Sequence, residues 1–292
     1  MGLIVLRVLK MVMKTLKFPT VLFVLFLSLK GYTQDGLEGV IVEKFYVSTE
    51  ADNAGNLYSG DLPKGSVTYR IFVDLKPGFR FQAAYGTPTH PLTIQSSEKF
   101  FNHIEDGNIQ PNIIPERAYK KNIALLDSWL SVGACVEGHL GILKEADDTI
   151  SDKFIVFEKE YFRNKKKIFP LYEKDGMKRS EFVPFPTFFK MDSIAFVFGS
   201  ATLSNKLKID NAAWACMGKG SVGADSLSTN CVLIAQVTTH GNLNFELNLM
   251  IGAPNGTSQK YVAKNPVGEE SEWTHPDLIF NSENKKNKSK KK

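Results

Sequence analysis

Apolar and polar residues alternate with a period of two in two long stretches of the chain. In the first, Val67, Tyr69, Ile71, Val73 and Leu75 alternate with Ser66, Thr68, Arg70, Phe72 and Asp74. That spacing puts one set on each face of a strand. Lys76-Pro77-Gly78 supplies a turn, and Phe79, Phe81, Ala83 and Tyr85 resume the alternation. The pattern predicts a β-hairpin over residues 66–85. In the second stretch, Cys231–Val237 is a nearly continuous apolar run, as in a strand covered on both faces. Thr239-His240-Gly241-Asn242 reads as a turn, and Leu243, Phe245, Leu247, Leu249 and Ile251 continue as a second hairpin. Further strands are expected at Val40–Val47, Leu130–Val136, Phe154–Phe157, Ile194–Phe198 and Lys260–Val262. Only Glu116–Leu126 carries a helical signal.

Short strands separated by Gly, Pro, Asn and Asp predict an all-β fold, an antiparallel β-sandwich. Residues 158–190 break the pattern. Lys165, Lys166 and Lys167 mix with Phe162, Phe169, Phe182, Phe185, Phe188 and Phe189, and Pro170, Pro184 and Pro186 interrupt them. This stretch reads as a basic, aromatic insertion between two similar β halves, 34–157 and 191–280. The Phe run at 182–189 is expected to pack down as a loop; left exposed, it would mark a partner site.

The ends change the picture of charge. Lys14 and Lys17 precede the apolar run Thr20–Leu29, and Gly31-Tyr32-Thr33 follows with small residues. That is a signal-peptide layout over 1–33, with Met13 the natural start and cleavage near Thr33. The apolar run is short for a membrane span, and no later segment is apolar enough for one. Five basic residues lie in 1–33 and six lysines in the last eight residues, so the formal +5 of the whole chain leaves about −6 on the body. A mildly acidic body excludes phosphate-driven binding of nucleic acid. The Lys-rich tail 281–292 has nothing to bury and is expected to be disordered.

Candidate chemistry is sparse. Cys216 and Cys231 bracket a Gly/Ser-rich loop and are the favoured disulfide in an oxidising compartment, leaving Cys135 a buried thiol. Gly218–Gly223 matches G-x-G-x-x-G, but a strand rather than a helix follows, so it reads as a hairpin loop. His90, His103, His139, His240 and His275 have no metal-ligand spacing and read as surface or turn residues. Two acidic loops offer the hard oxygen ligands that Ca²⁺ takes, one around Asp52, Asn53 and Asn56, the other around Asp147, Asp148 and Asp152. Neither has EF-hand spacing, so the signal for Ca²⁺ is weak, and Asx-rich turns with solvated carboxylates are the competing account. Trp129 and Trp214 sit at strand positions and belong in the core, whereas Trp273 is the exposed aromatic best suited to stack on a sugar.

Three segments, Ser66–Gly86, Asp127–Ala134 and Asn230–Ile251, resemble a group of secreted β-rich proteins from bacteria that use type IX secretion. The resemblance rests on a VTYR-V-VDL-PG pattern, an Asp-Ser-Trp segment and an LIAQ-TT-G-L-FELN pattern. It implies an exported β domain and brings no chemistry with it. The expected role is therefore a non-catalytic envelope or extracellular module, periplasmic or on the surface, that recognises a glycan or an envelope protein without a cofactor. The alternative is a secreted polysaccharide hydrolase that draws on the loop carboxylates.

Overall fold

A computed structural model describes residues 35–53, 60–120, 122–144, 176–191, 195–199, 203–268 and 272–283. The signal-peptide region, the strand at 154–157, most of the insertion, the Lys-rich tail beyond Glu283, and Asn56, Asp147, Asp148 and Asp152 lie outside these residues. The start of the tail is corrected, because Asn281 ends a strand paired with Asn244 and Ser282 is buried. The described strands belong to one compact unit, Gly36–Lys292. In chain order they are β1 (Leu37–Val47), β2 (Val67–Leu75), β3 (Arg80–Gly86), β4 (Leu92–Ser96), β5 (Trp129–Leu130), β6 (Ala134–Val136), β7 (His139–Gly141), β8 (Met177–Arg179) and β9 (Pro186–Phe189). There follow β10 (Lys206–Ile209), β11 (Ala212–Cys216), β12 (Asn230–Thr239), β13 (Leu243–Glu246), β14 (Leu249–Gly252), β15 (Ser258–Tyr261), β16 (Glu272–Trp273) and β17 (Ile279–Asn281).

Four sheets result, with strand orders β1-β2-β12-β5, β16-β15-β14-β3-β11-β9, β10-β4-β13-β17 and β6-β7-β8. The pairings are antiparallel except that of β15 with β16. The all-β, antiparallel expectation holds. Ile71 and Val73 of β2 and Val232 of β12 share one hydrophobic cluster with Phe81 of β3, Trp214 of β11 and Ile251 of β14, which is the interior of a sandwich. A second cluster covers the other face of β2 and β12. It joins Phe72 and Leu233 to Trp129, Cys135 and the short 3₁₀ turns Glu116–Lys120 and Asn122–Leu126. Burial on both faces is the reason Cys231–Val237 reads as a continuous apolar run.

Both expected hairpins are corrected. β2 and β3 follow one another through the turn at 76–79, yet they lie in different sheets; so do β12, β13 and β14. The turn carries the chain around a corner of the sandwich. Gly78 has φ +86°, and Asn230 pins the corner by donating from Nδ2 to the carbonyls of Lys76 (3.1 Å) and Phe79 (2.9 Å). At the other corner a Cβ on Gly241 would lie 2.4 Å from the Glu98 nitrogen, so only glycine allows that approach. The two β halves are corrected as well, because β2 pairs with β12, β3 with β11 and β14, and β4 with β10 and β13. Residues 195–198 form a 3₁₀ turn instead of the expected strand, and the stretch expected as a strand at 130–136 splits into β5 and β6.

Candidate binding surfaces

Polar residues of β2 and β12 that face the second cluster form a buried network. Thr68 and Thr238 pair across the strands, 2.7 Å between hydroxyls. Arg70 is fully buried; it donates from Nε to Gln236 Oε1 (2.9 Å) and from Nη1 to the Gly176 carbonyl (2.9 Å), and lies 3.6 Å over the Phe45 ring. Gln236 in turn donates to the carbonyls of Leu125 and Asp127. The Asp127 carboxylate accepts from the backbone nitrogens of His103 (2.7 Å) and Asn108 (2.8 Å) and so clamps the loop 103–108. Burial drives its carboxyl well above the ordinary carboxylate range, against the opposing pull of those N–H donors. Ser128 donates to the Phe101 carbonyl and accepts from the Thr238 nitrogen. The Asp-Ser-Trp segment is thus a structural clamp, and Trp129, like Trp214, is fully buried.

The sites picked from sequence are dispersed. Asp52 is buried and already committed: its Oδ2 accepts from the Thr49 nitrogen and hydroxyl and from the Tyr46 hydroxyl at 2.8 Å, a capping arrangement at Glu50–Asn53. Among the described residues no group of three or more His, Cys, Asp or Glu side chains is placed to hold a metal ion. Trp273, expected as an exposed platform, is half-buried on β16, edge-on to Tyr261 with ring centroids 5.4 Å apart. Glu272 beside it lies 3.1 Å from His90 Nε2 and accepts from the Val267 nitrogen. Burial, helped by Glu272, pushes the nearby Tyr85 hydroxyl up to about 12. His90, His103 and His139 are buried, contrary to the surface reading; each ring holds a backbone or carboxylate contact in place of a metal.

The Cys216–Cys231 disulfide is also corrected: all three cysteines are free thiols. Cys216 ends β11 and packs against the first cluster, whereas Cys231 opens β12 and points into the second, so the first sheet separates them. Cys231 donates to Asp74 Oδ1 at 3.2 Å. Burial and then Asp74 push its thiol up to about 12, and burial does the same to Cys135.

Two surfaces stand out. The first is the edge of the six-stranded sheet at β9. Phe188 packs against the core, but Phe182, Phe185 and Phe189 are 78%, 64% and 44% exposed, so the packed-loop expectation fails for three of the four. Exposed Arg179 and Lys190 and half-buried Lys178 flank this stretch in sequence together with exposed Glu181, and Asp225 lies close enough to Lys178 to feel its charge. Pro184 and Pro186 remove backbone donors here, and Lys190 turns away at φ +53°. This edge is therefore blunted against strand addition and presents side chains instead.

The second is a cleft of about 380 Å³. Its walls come from four separate stretches: residues 60–66 before β2, 98–104 after β4, Leu203 before β10, and Thr239-His240 at the end of β12. The walls are tied to neighbouring segments and, through Thr238 of β12, to a sheet. Phe101 and Phe100 nitrogens donate to the carbonyls of Thr238 and Ser204, and Ser66 donates from its hydroxyl to the Pro63 carbonyl and from its nitrogen to Ser48 Oγ. No spacing signal in the sequence joins these stretches. Among the described residues no helix is long and apolar enough to cross a membrane. No known family, curated protein or solved structure matches the chain.

Proposed function

We propose that this chain is a non-catalytic recognition module of the exported, envelope type, which binds another protein through the aromatic and basic surface at β9. One observation carries the reading: Phe182, Phe185 and Phe189 stand exposed within eight residues, the last of them on β9, the strand that ends a sheet, with Arg179 and Lys190 flanking them in sequence. Exposing that much apolar surface costs solubility and is retained where something covers it. Aromatic residues with Arg are also the side chains that dominate protein interfaces. The partner is a protein surface with apolar pockets and acidic rims. The signal-peptide layout and the resemblance to type IX-associated proteins support placing the encounter in the periplasm or at the cell surface.

A glycan partner has less support, because Trp273 is half-buried and packed against Tyr261 instead of standing free as a platform. Polysaccharide hydrolysis would draw on Asp61 and Glu98, the carboxylates lining the cleft. Both stand exposed to solvent.

The test is photo-crosslinking in intact native cells from a probe at position 185. The same partner should be captured repeatedly and lost when Phe182 and Phe189 are both changed to Ser. Capture that survives this double change, or no discrete product, would sink the proposal.

A further inference from the structure

The register of the six-stranded sheet sorts its side chains into rows. Phe188, Trp214, Ala84, Leu249 and Tyr261 are paired in one row, and each belongs to or packs against the first hydrophobic cluster. That row faces the core, so the rows on either side of it face outward. One outward row is Phe189, Ala213 and Tyr85; the other is Thr187, Ala215 and Ala83. Phe185 and Met217 stand one step beyond the last pair of β9 with β11, Pro186 opposite Cys216, and are 64% and 63% exposed. The small side chains of Thr187, Ala215 and Ala83 therefore lie between two bulkier banks, Phe185 with Met217 and Phe189 with Tyr85. At a rise of about 3.3 Å per residue, the banks are roughly 13 Å apart along β9. The result is a shallow trough that crosses β9, β11 and β3 on the outer face of the sheet and opens at the β9 edge.

Cations stand at both banks. Exposed Lys190 follows Phe189, and exposed Lys219 follows Met217 by two residues. Gly220 backs onto Arg80, whose charge reaches the Cys216 thiol. None of these three cations has an ion-pair partner among the described residues. The carboxylates nearby are engaged. Glu272, beyond Lys260 at the far end of the row that holds Thr187, meets His90 and the Val267 nitrogen. Asp225 accepts from the Ser228 hydroxyl and faces Lys178. Exposed Glu181 is the exception, with Arg179 two residues before it. Cations without partners beside an open apolar trough favour a ligand that carries apolar side chains and carboxylates together. Resting on the protein-partner reading, we propose that this trough seats a single acidic segment of the partner polypeptide. The segment lies across the strands, with an apolar side chain on the floor of Thr187, Ala215 and Ala83 and its carboxylates at Lys190, Lys219 and Arg80.

The test is the photo-crosslinking from position 185 in intact native cells, with the trough altered. Thr187→Trp fills the floor from the edge strand, and Lys190→Glu with Lys219→Glu reverses the charge at both banks. Each should lower capture of the partner by at least about tenfold. Lys206→Glu, exposed on β10 in another sheet, should leave capture unchanged. Circular dichroism and a urea midpoint equal to wild type show that each variant is folded; if Thr187→Trp does not fold, the charge reversal decides. Capture that survives either change, while Phe182→Ser with Phe189→Ser still abolishes it, would overturn the trough and leave the aromatic surface standing. An equal loss with Lys206→Glu would overturn it as well, because net charge would then govern the encounter. So would a cross-linked pair of copies of this chain. No product from the unchanged protein sinks both readings.

Discussion

The face of β2 and β12 turned toward the second cluster and the edge at β9 invert the usual placement of residues. The first buries Arg70, Gln236, Thr68, Thr238 and Asp127; the second exposes Phe182, Phe185 and Phe189. The polar groups tolerate burial because most of their atoms are partnered, with Arg70 bonded to Gln236 and Gly176 through two of its three nitrogens and Asp127 holding two backbone nitrogens. The aromatic groups have no such compensation in water. A buried polar network partnered mostly from within is a structural device, whereas exposed aromatic rings point outward to a binding event. The same contrast applies to His90, His103, His139, Cys135 and Cys231, whose burial makes them architectural.

Variants can break this comparison, and the largest effect belongs to Arg70. Arg70→Ala removes the donor to Gln236 and Gly176 and the cation over Phe45. It should cost about 3–5 kcal/mol in urea unfolding, in the range of broken buried networks. A loss below about 1 kcal/mol would mean that the network contributes no more than a solvent-exposed ion pair.

Asp127→Asn comes next, at about 2 kcal/mol, because one amide N–H₂ must face a backbone N–H of His103 or Asn108. Its pH dependence has a definite sign. The folded state raises the Asp127 pKa, so above the unfolded value near 4 the unfolded chain releases its proton first. Wild-type stability from this group is fully present below that value and declines as pH rises toward the folded pKa; the Asn variant lacks the slope. The wild type should therefore lead by most at about pH 4 and by less at about pH 8. A lead that grows with pH would mean the N–H donors, not burial, dominate at this carboxyl.

At the β9 edge the expectation reverses. Phe182→Ser with Phe189→Ser should change stability by no more than about 0.5 kcal/mol per site and abolish partner capture from position 185. A large destabilisation would show that these rings are part of the core. The smallest effect tests the thiols. Half-buried Cys216 should react with a thiol reagent in the native protein, while Cys135 and Cys231 should react only after unfolding. Protection of Cys216 together with Cys231 until reduction would restore the bridge between them.

Much of the strand content was legible because period two is a local property. Residues 67–75, 80–86 and 243–252 carry that alternation whatever they pair with, and the continuous run at 231–237 correctly announced a strand covered on both faces. The partners were not legible. The turn at 76–79 suits a hairpin and a corner between sheets equally well, and only the interleaving of β2 with β12 and β3 with β14 distinguishes the two. Cys216 and Cys231 lie close in sequence yet on opposite sides of a sheet, a separation that loop length does not encode.

The chain's own residues determined an all-β fold, the buried places of Trp129 and Trp214, and the acidic body between basic ends, since these follow from periodicity, apolarity and charge. Tertiary structure alone decided that Arg70 is buried and Phe185 exposed, that Asp52 is a cap, that Trp273 leans on Tyr261, and that four distant stretches meet in one cleft. Each of these depends on which long-range neighbour a residue meets, and period two records only the face of a strand on which it lies.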